Sequence, residues 1–366
     1  MLKSRLCIAF FAFAVGCAPA QKPLTDYVNP MLGTATLWDS VDLGFKPTKR
    51  TWGAEVFPGS SLPNAMVQVS PVTKFHSGAG YQYEDSVIYG FTHTNKGHWN
   101  LCHIPLLPVT GTPTPGDYCS PFSHERESAA PGYYQVFLDR YGVDAQLSST
   151  LRCAFHKYTY PAGAAASLLA DLQRSNEHVR AWDIRKEGDN VFAGWQQTGE
   201  KMYFYAVANR PVTGIEPVVE GDREVRIVRF GEGDGALELR IGFSFVSEKN
   251  ARENLEAEML GKSFAEVRSE ATATWNDLLG RIRVEGGTER EKGLFYSSLY
   301  RSFLWPALRS DVNGEFTDVD GKVINPGFRY YTGPSYWDDY RNKLILLGML
   351  APDVAADVIS SDTDKG

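Results

Sequence analysis

The chain lacks the features that would carry nucleic-acid, thiolate-metal or membrane-spanning chemistry. No block of about five or more Lys and Arg occurs, and 37 basic against 44 acidic side chains leave a net charge of -7. Without a basic cluster to displace counterions from a phosphate backbone, nucleic acid is not an expected partner. No C-x-x-C pair is present, which excludes a zinc site built on paired thiolates. H-E-x-x-H and G-x-S-x-G are also absent, so neither a helical zinc pair nor a serine nucleophile elbow is encoded.

The longest terminal apolar run, "LCIAFFAFAVG" after Lys3 and Arg5, is too short to cross a bilayer. Its length and basic flank fit an export signal. Two processing sites compete: "APA" at 18–20 gives a mature chain from Gln21, while "AVGC" at 14–17 resembles a lipobox with a lipid anchor at Cys17. Both place the mature protein outside the cytoplasm, as a periplasmic, secreted or outer-membrane lipoprotein. Cys102, Cys119 and Cys153 then remain, enough for one disulfide in three pairings or for three separate small side chains.

What is present is a large apolar content, 43% of residues with 13% aromatic, enough for a sizeable core and more than one domain. Between about residues 24 and 248, "AMVQVSP", "YYQVFLDRYGVDAQLSST", "KMYFYAVANR", "REVRIVRFG" and "LELRIGFSFVS" alternate apolar and polar residues. Many such segments joined by Gly and Pro predict an antiparallel β-sandwich.

After residue 248 the period changes. Ser263 with Glu266 forms a capping box ahead of a helical face of Phe264, Val267, Ala271, Trp275 and Leu278. Thr288 with Glu291 opens a second helix, with a predicted stripe of Leu294, Phe295, Leu299 and Phe303 before Pro306. Ser335 is expected to cap a helix running through "WDDYRNKLILLGML", and "DVAADVIS" to begin a short further one. "DVNGEFTDVDGKV" reads as hairpin turns, since its glycines are out of phase with a calcium-binding EF-hand loop.

"GFTHTNKGHWNLCH", residues 90–103, gathers three histidines, a tryptophan and two asparagines. Five-residue spacing of His93, His98 and His103 suits neither one helical face nor one strand face. The stretch instead offers a flat ring, Trp99, beside polar side chains such as His98. That combination fits a pyranose, whose C–H face packs on an aromatic ring while its hydroxyls take directional hydrogen bonds. A buried, self-satisfied loop is the competing interpretation.

Five segments together resemble glycoside hydrolase family 92, the secreted bacterial α-mannosidases. They are "YVNPMLGTA" at 27–35, "FPGSSLPNAMVQVSP" at 57–71, "GYQYEDSVIYGFTHT" at 80–94, "LYRSFLWPALRSDVNGEF" at 299–316 and "YWDDYRNKLILLGMLAP" at 336–352. The resemblance implies a multidomain protein: an N-terminal β-sandwich (21–248), a helical linker (249–285) and the first helices of an incomplete (α/α)6 barrel (286–366).

It further implies inverting, calcium-dependent hydrolysis of α-mannosides in mannose-rich N-glycans or mannans, with catalytic carboxyls about 6.5–9.5 Å apart. The carboxyl pair and the calcium ligands are expected beyond residue 366, so no catalytic residue is assigned and this chain by itself is expected to be inactive. "YWDDYR" makes Trp337 and Asp338 candidates to hold the mannose, with Arg341 orienting Asp338 or binding a hydroxyl.

In residues 90–103 many family members read His-Thr-His-Leu-Ser-Gly-Thr-Gly where this chain has "HTNKGHWN". Linkage preference is therefore left open. Two other readings stay open as well: a non-catalytic carbohydrate-binding sandwich, and an interaction protein whose exposed helices dock on a partner chain.

Overall fold

The computed structural model describes residues 22–36, 44–46, 56–96, 99–333 and 336–364, with the backbone alone for residues 95, 96, 99, 100 and 338. The signal segment and Cys17 lie outside the described residues.

Two antiparallel sheets face one another. The first runs, in spatial order, through Ser60–Ser61, Gln68–Val72, Gly90–Thr92, Leu106–Val109, Ser167–Ala170, Arg223–Phe230 and Val212–Glu220. The second runs through Ala181–Gly188, Val191–Gln197, Lys201–Ala208, Leu237–Ser244, Cys153–Thr159, Val143–Ser149, Tyr133–Leu138 and Glu127–Ala130. Strict alternation drives the burial: in Lys201–Ala208 every second side chain, from Met202 to Ala208, is buried.

The inner faces meet through aromatic rings. Phe91 of the first sheet lies 6.5 Å from Tyr134 and 6.3 Å from Tyr158 of the second, and Phe192 lies 6.3 Å from Phe230. The sandwich expected from the alternating segments is thus present.

Helices cover part of the outer face of the second sheet, over its strands Lys201–Ala208, Leu237–Ser244 and Cys153–Thr159. Helix α1 (Glu248–Glu258) is capped by Ser247, whose hydroxyl accepts the Asn250 N–H. It lies so close to the sheet that a Cβ on Gly242 would stand 2.1 Å from the Ala251 carbonyl oxygen and 2.8 Å from the Leu255 Cβ. Helix α2 (Phe264–Leu279) carries the expected capping box, and Phe264, Val267, Ala271, Trp275 and Leu278 are all buried. Leu255, Met259, Phe264 and Val267 pack with Tyr133, Cys153 and Phe155 of the sheet.

Helix α3 (Glu289–Ser302) has its capping box too, but its buried face is rotated from the expected stripe. Leu294 is 44% exposed, and Tyr296, Leu299, Tyr300 and Phe303 line the inside. Tyrosine belongs on a buried face where its hydroxyl finds an acceptor, as Tyr296 does at the Ile282 carbonyl, 3.2 Å away. Trp275 packs on Tyr300 at 4.4 Å and donates its Nε1–H to the Ser61 carbonyl at 2.7 Å.

The segment after α3 ties back to the sandwich. Asn64 Nδ2 donates to the Pro306 carbonyl and Gln68 Nε2 to that of Leu304, at 2.8 and 2.7 Å. The "DVNGEFTDVDGKV" segment forms a hairpin, Phe316–Thr317 against Val323–Ile324, as its turn chemistry predicts.

The single helix expected from Ser335 is broken. Ser335 lies outside the described residues, and the chain forms α4 (Tyr336–Asp339), a turn, then α5 (Lys343–Leu350) and α6 (Pro352–Asp364). Asp338, Asp339, Tyr340 and Asn342 are weak helix formers, and Asn342 holds φ -138 with no side-chain cap. Among the described residues these helices follow the sandwich without closing a barrel.

The three cysteines are separate thiols. Cys102 packs with Val72 and Phe75, whereas Cys153 sits under α1 and α2.

Candidate functional site

Residues 93–104 leave the sandwich and return to it through a locked base. His93 N–H donates to the His103 carbonyl at 3.2 Å, and Leu101 N–H to the Thr94 carbonyl at 3.3 Å. Beyond this base Asn95–Lys96 pairs with Trp99–Asn100 in a two-stranded hairpin.

Cys102 and Ile104 both adopt left-handed backbone, φ 51 and 54. For a β-branched residue this conformation is strained and persists only where its surroundings over-determine it. Here Gln196 supplies the constraint: its Oε1 accepts the Ile104 N–H at 2.8 Å while its Nε2 donates to the Leu172 and Arg174 carbonyls.

His103 continues this anchoring toward solvent. Thr198 Oγ1 donates to Glu177 Oε2 at 2.6 Å, so its lone pair receives the His103 Nε2–H at 3.0 Å. Nδ1 of the same ring faces the Thr94 hydroxyl at 2.9 Å. The chain of contacts Glu177–Thr198–His103–Thr94 therefore connects a surface carboxylate to the loop base.

That carboxylate opens onto a cleft of about 790 Å³ between the sandwich and the segment that follows α3. Leu101, Glu177, Glu200, Lys201 and Tyr203 line it from the sandwich, and Arg309, Asp318, Tyr330 and Thr332 from the other wall. Arg309 bridges the walls: its guanidinium stacks 3.9 Å from the Phe245 ring and pairs with Glu200 at 3.0 Å.

The far wall is fixed by a buried polar knot. Asp311 accepts from Ser244 Oγ at 2.6 Å, Asn250 Nδ2 at 2.8 Å and Asn254 Nδ2 at 2.7 Å. Burial raises its carboxyl pKa against the pull of these donors. Arg152, donating to the Ser310 carbonyl and paired with Glu258, closes the knot. Charged groups, amphipathic rings and a concave wall give the cleft the means to hold a polyhydroxylated ring.

Of the residues named from sequence, His98 lies outside the described residues, and the side chains of Trp99 and Asp338 do as well. The Trp99 backbone is two residues from Leu101, within about 7 Å of a cleft-lining residue. Trp337 is 82% exposed. Arg341 is exposed and its Nε donates to the Tyr340 hydroxyl at 2.6 Å.

Sequence reasoning missed Arg309, Glu200 and Glu177. Arg309 falls inside "LYRSFLWPALRSDVNGEF", where attention to the charge within an apolar run would have found it. Glu200 and Glu177 sit in loops with no local signal.

A calcium ion needs six to eight oxygen ligands. Among the described residues no group of three or more His, Cys, Asp and Glu is placed to hold a metal ion. The Asp311 carboxylate is occupied by its amide and hydroxyl donors. The described donor set does not fit calcium, and no step is derived through it.

The model of the glycosyl hydrolase family 92 N-terminal domain matches residues 27–254, and that of the family's catalytic domain matches residues 250–365. The chain belongs to glycosyl hydrolase family 92.

Solved family members share its fold. The chain superimposes on a family GH92 α-mannosidase from Bacteroides thetaiotaomicron with a TM-score of 0.83 and 26% identity, covering 93% of this chain and 49% of that one. The structure of that enzyme with mannoimidazole gives a TM-score of 0.84 at 26% identity, over 94% and 48% of the two chains. An inverting family GH92 mannosidase from the same organism gives 0.80 at 26% identity, over 93% and 48%. A secreted glycosidase of Arthroderma benhamiae, itself uncharacterized, is 24% identical over 79% of this chain and 42% of its own length. This family 92 chain thus spans about half the length of the solved relatives it matches.

Proposed function

We propose that this family 92 protein is an exported α-mannoside-binding chain of a glycosidase, acting on mannose-rich N-glycans or mannans. The sandwich (21–248), linker (249–285) and barrel start (286–366) then build one wall set of the mannose site. By family resemblance the hydrolysis is inverting and calcium-dependent, with the acid, the base and the calcium ligands outside these residues. Lipidation at Cys17 and release after Ala20 are the two export outcomes.

The observation that supports this reading is the cleft in which the base of the Trp99 loop, through Leu101, and the Tyr330–Gly333 segment share one wall set. Trp337 follows Gly333 by four residues in sequence, and in this reading the "YWDDYR" motif reaches toward the same cleft, so that Trp99, Trp337, Asp338 and Arg341 grip the ring from two architectures.

Calorimetry with α-mannobiose tests it. Saturable binding by the 366-residue protein, with no mannose released above a buffer control, is expected. Absence of binding, or mannose release that a chelator suppresses, overturns the respective part.

A further inference from the structure

The outward face of the second sheet carries an aromatic row that starts at the cleft and leaves it. Tyr203, which lines the cleft, pairs across the ladder with Trp195, and Trp195 pairs in turn with Asp183 on the edge strand. Adjacent strands are about 4.8 Å apart, so the row extends about 10 Å from Tyr203 to Asp183.

Trp195 belongs to none of the hydrophobic clusters among the described residues. Instead the Lys201 ammonium stands 3.6 Å from its ring centroid and 4.9 Å from that of Tyr203. Lys201 itself lines the cleft. A large, half-buried ring capped by a flexible cation, next to a ring that lines a cleft, is poorly explained by core packing.

We infer that Trp195, Tyr203 and Lys201 form an outer subsite for the sugar rings beyond a disaccharide held in the cleft, and so set a preference for oligosaccharides over disaccharides. A pyranose stacks its C–H face on Trp195 as the lysine swings aside to donate to a hydroxyl, and the edge carboxylate of Asp183, exposed beside Arg185, accepts from the next ring. This rests on the proposed mannoside-binding role of the cleft.

The test is calorimetry of linear α-mannobiose and α-mannopentaose on the wild-type protein and on Trp195→Ala. Mannopentaose binding is expected to weaken about tenfold in the variant, with mannobiose binding unchanged. In parallel, oxidation of Trp195 by N-bromosuccinimide in the wild-type protein, read by peptide mass spectrometry, is expected to slow with mannopentaose and not with mannobiose. That second measurement needs no folded variant.

Equal loss for both sugars, or no loss with no protection of Trp195, overturns the outer subsite and leaves the cleft reading standing. Failure of the wild-type protein to bind either sugar overturns both.

Discussion

His93 and His156 meet in the core with their Nε2 atoms 3.0 Å apart. One His comes from the base of the Trp99 loop and the other from the central strand Cys153–Thr159 of the second sheet. Such a contact needs one N–H and one lone pair, so the two rings cannot both be charged. Burial lowers the His93 pKa to about 3, and burial together with His93 lowers that of His156 well below its usual value.

Acid stability follows from this pair. Both rings are neutral when folded, while unfolded histidines bind protons below about pH 6.5. Below that pH the unfolded chain holds more protons, so stability falls as pH drops from about 6.5 toward the folded pKa, by up to ~1.4 kcal/mol per pH unit for each ring. Urea midpoints measured from pH 7.5 to 4.5 are expected to decline, and His156→Phe to flatten the slope. An unchanged slope in the variant contradicts this account.

Gly242→Ala places a methyl group against the Ala251 carbonyl and pushes α1 off the sheet. Overpacking of this kind costs about 1–3 kcal/mol, more where backbone must move. Thermal unfolding is expected to show a clearly lowered midpoint; wild-type stability would mean that α1 is less tightly seated than the 2.1 Å approach requires.

Asp311→Ala strips three donors of their shared acceptor. Ser244, Asn250 and Asn254 are buried, and stranding such groups costs about 1–3 kcal/mol in total stability, with more possible for donors to a charge. Because the knot fixes the Arg309 wall, α-mannobiose affinity should fall along with the urea midpoint.

Arg309→Ala separates binding from folding. The guanidinium lines the cleft with its side chain 16% exposed and its partner Glu200 62% exposed, and a pair open to solvent on one side contributes little to stability. Calorimetry is expected to show mannobiose affinity reduced about tenfold or more, with the unfolding midpoint close to wild type. A large midpoint shift with intact affinity would assign Arg309 to packing alone.

Gln196→Leu removes the acceptor that holds Ile104 in its left-handed conformation. The loop base should relax, and protection of the Ile104 amide in hydrogen exchange is expected to collapse before that of the neighbouring strands. Retained protection at Ile104 would show that the strain is held elsewhere.

Helix starts were legible because capping is local: Ser263 with Glu266 and Thr288 with Glu291 satisfy backbone groups within one turn, whatever lies beyond. The face that α3 buries was not legible, since Tyr296 and Tyr300 count as inward only once the Ile282 carbonyl and Trp275 are known to wait for them. In the same way the alternation of Lys201–Ala208 announced a strand but not that Tyr203 and Trp195 would stand side by side on its outer face.

The sequence alone determined the switch from period 2 to period 3.6 near residue 248, the hairpin turns of residues 311–323 and the family to which the chain belongs. These rest on neighbours in sequence or on whole motifs. Only the tertiary structure decided that Glu200 would face Arg309, that His93 would share a proton with His156, and that Gln196 would clamp Ile104. Each joins residues far apart in the chain, and which distant groups meet is set by how two sheets and their covering helices bury their apolar faces together.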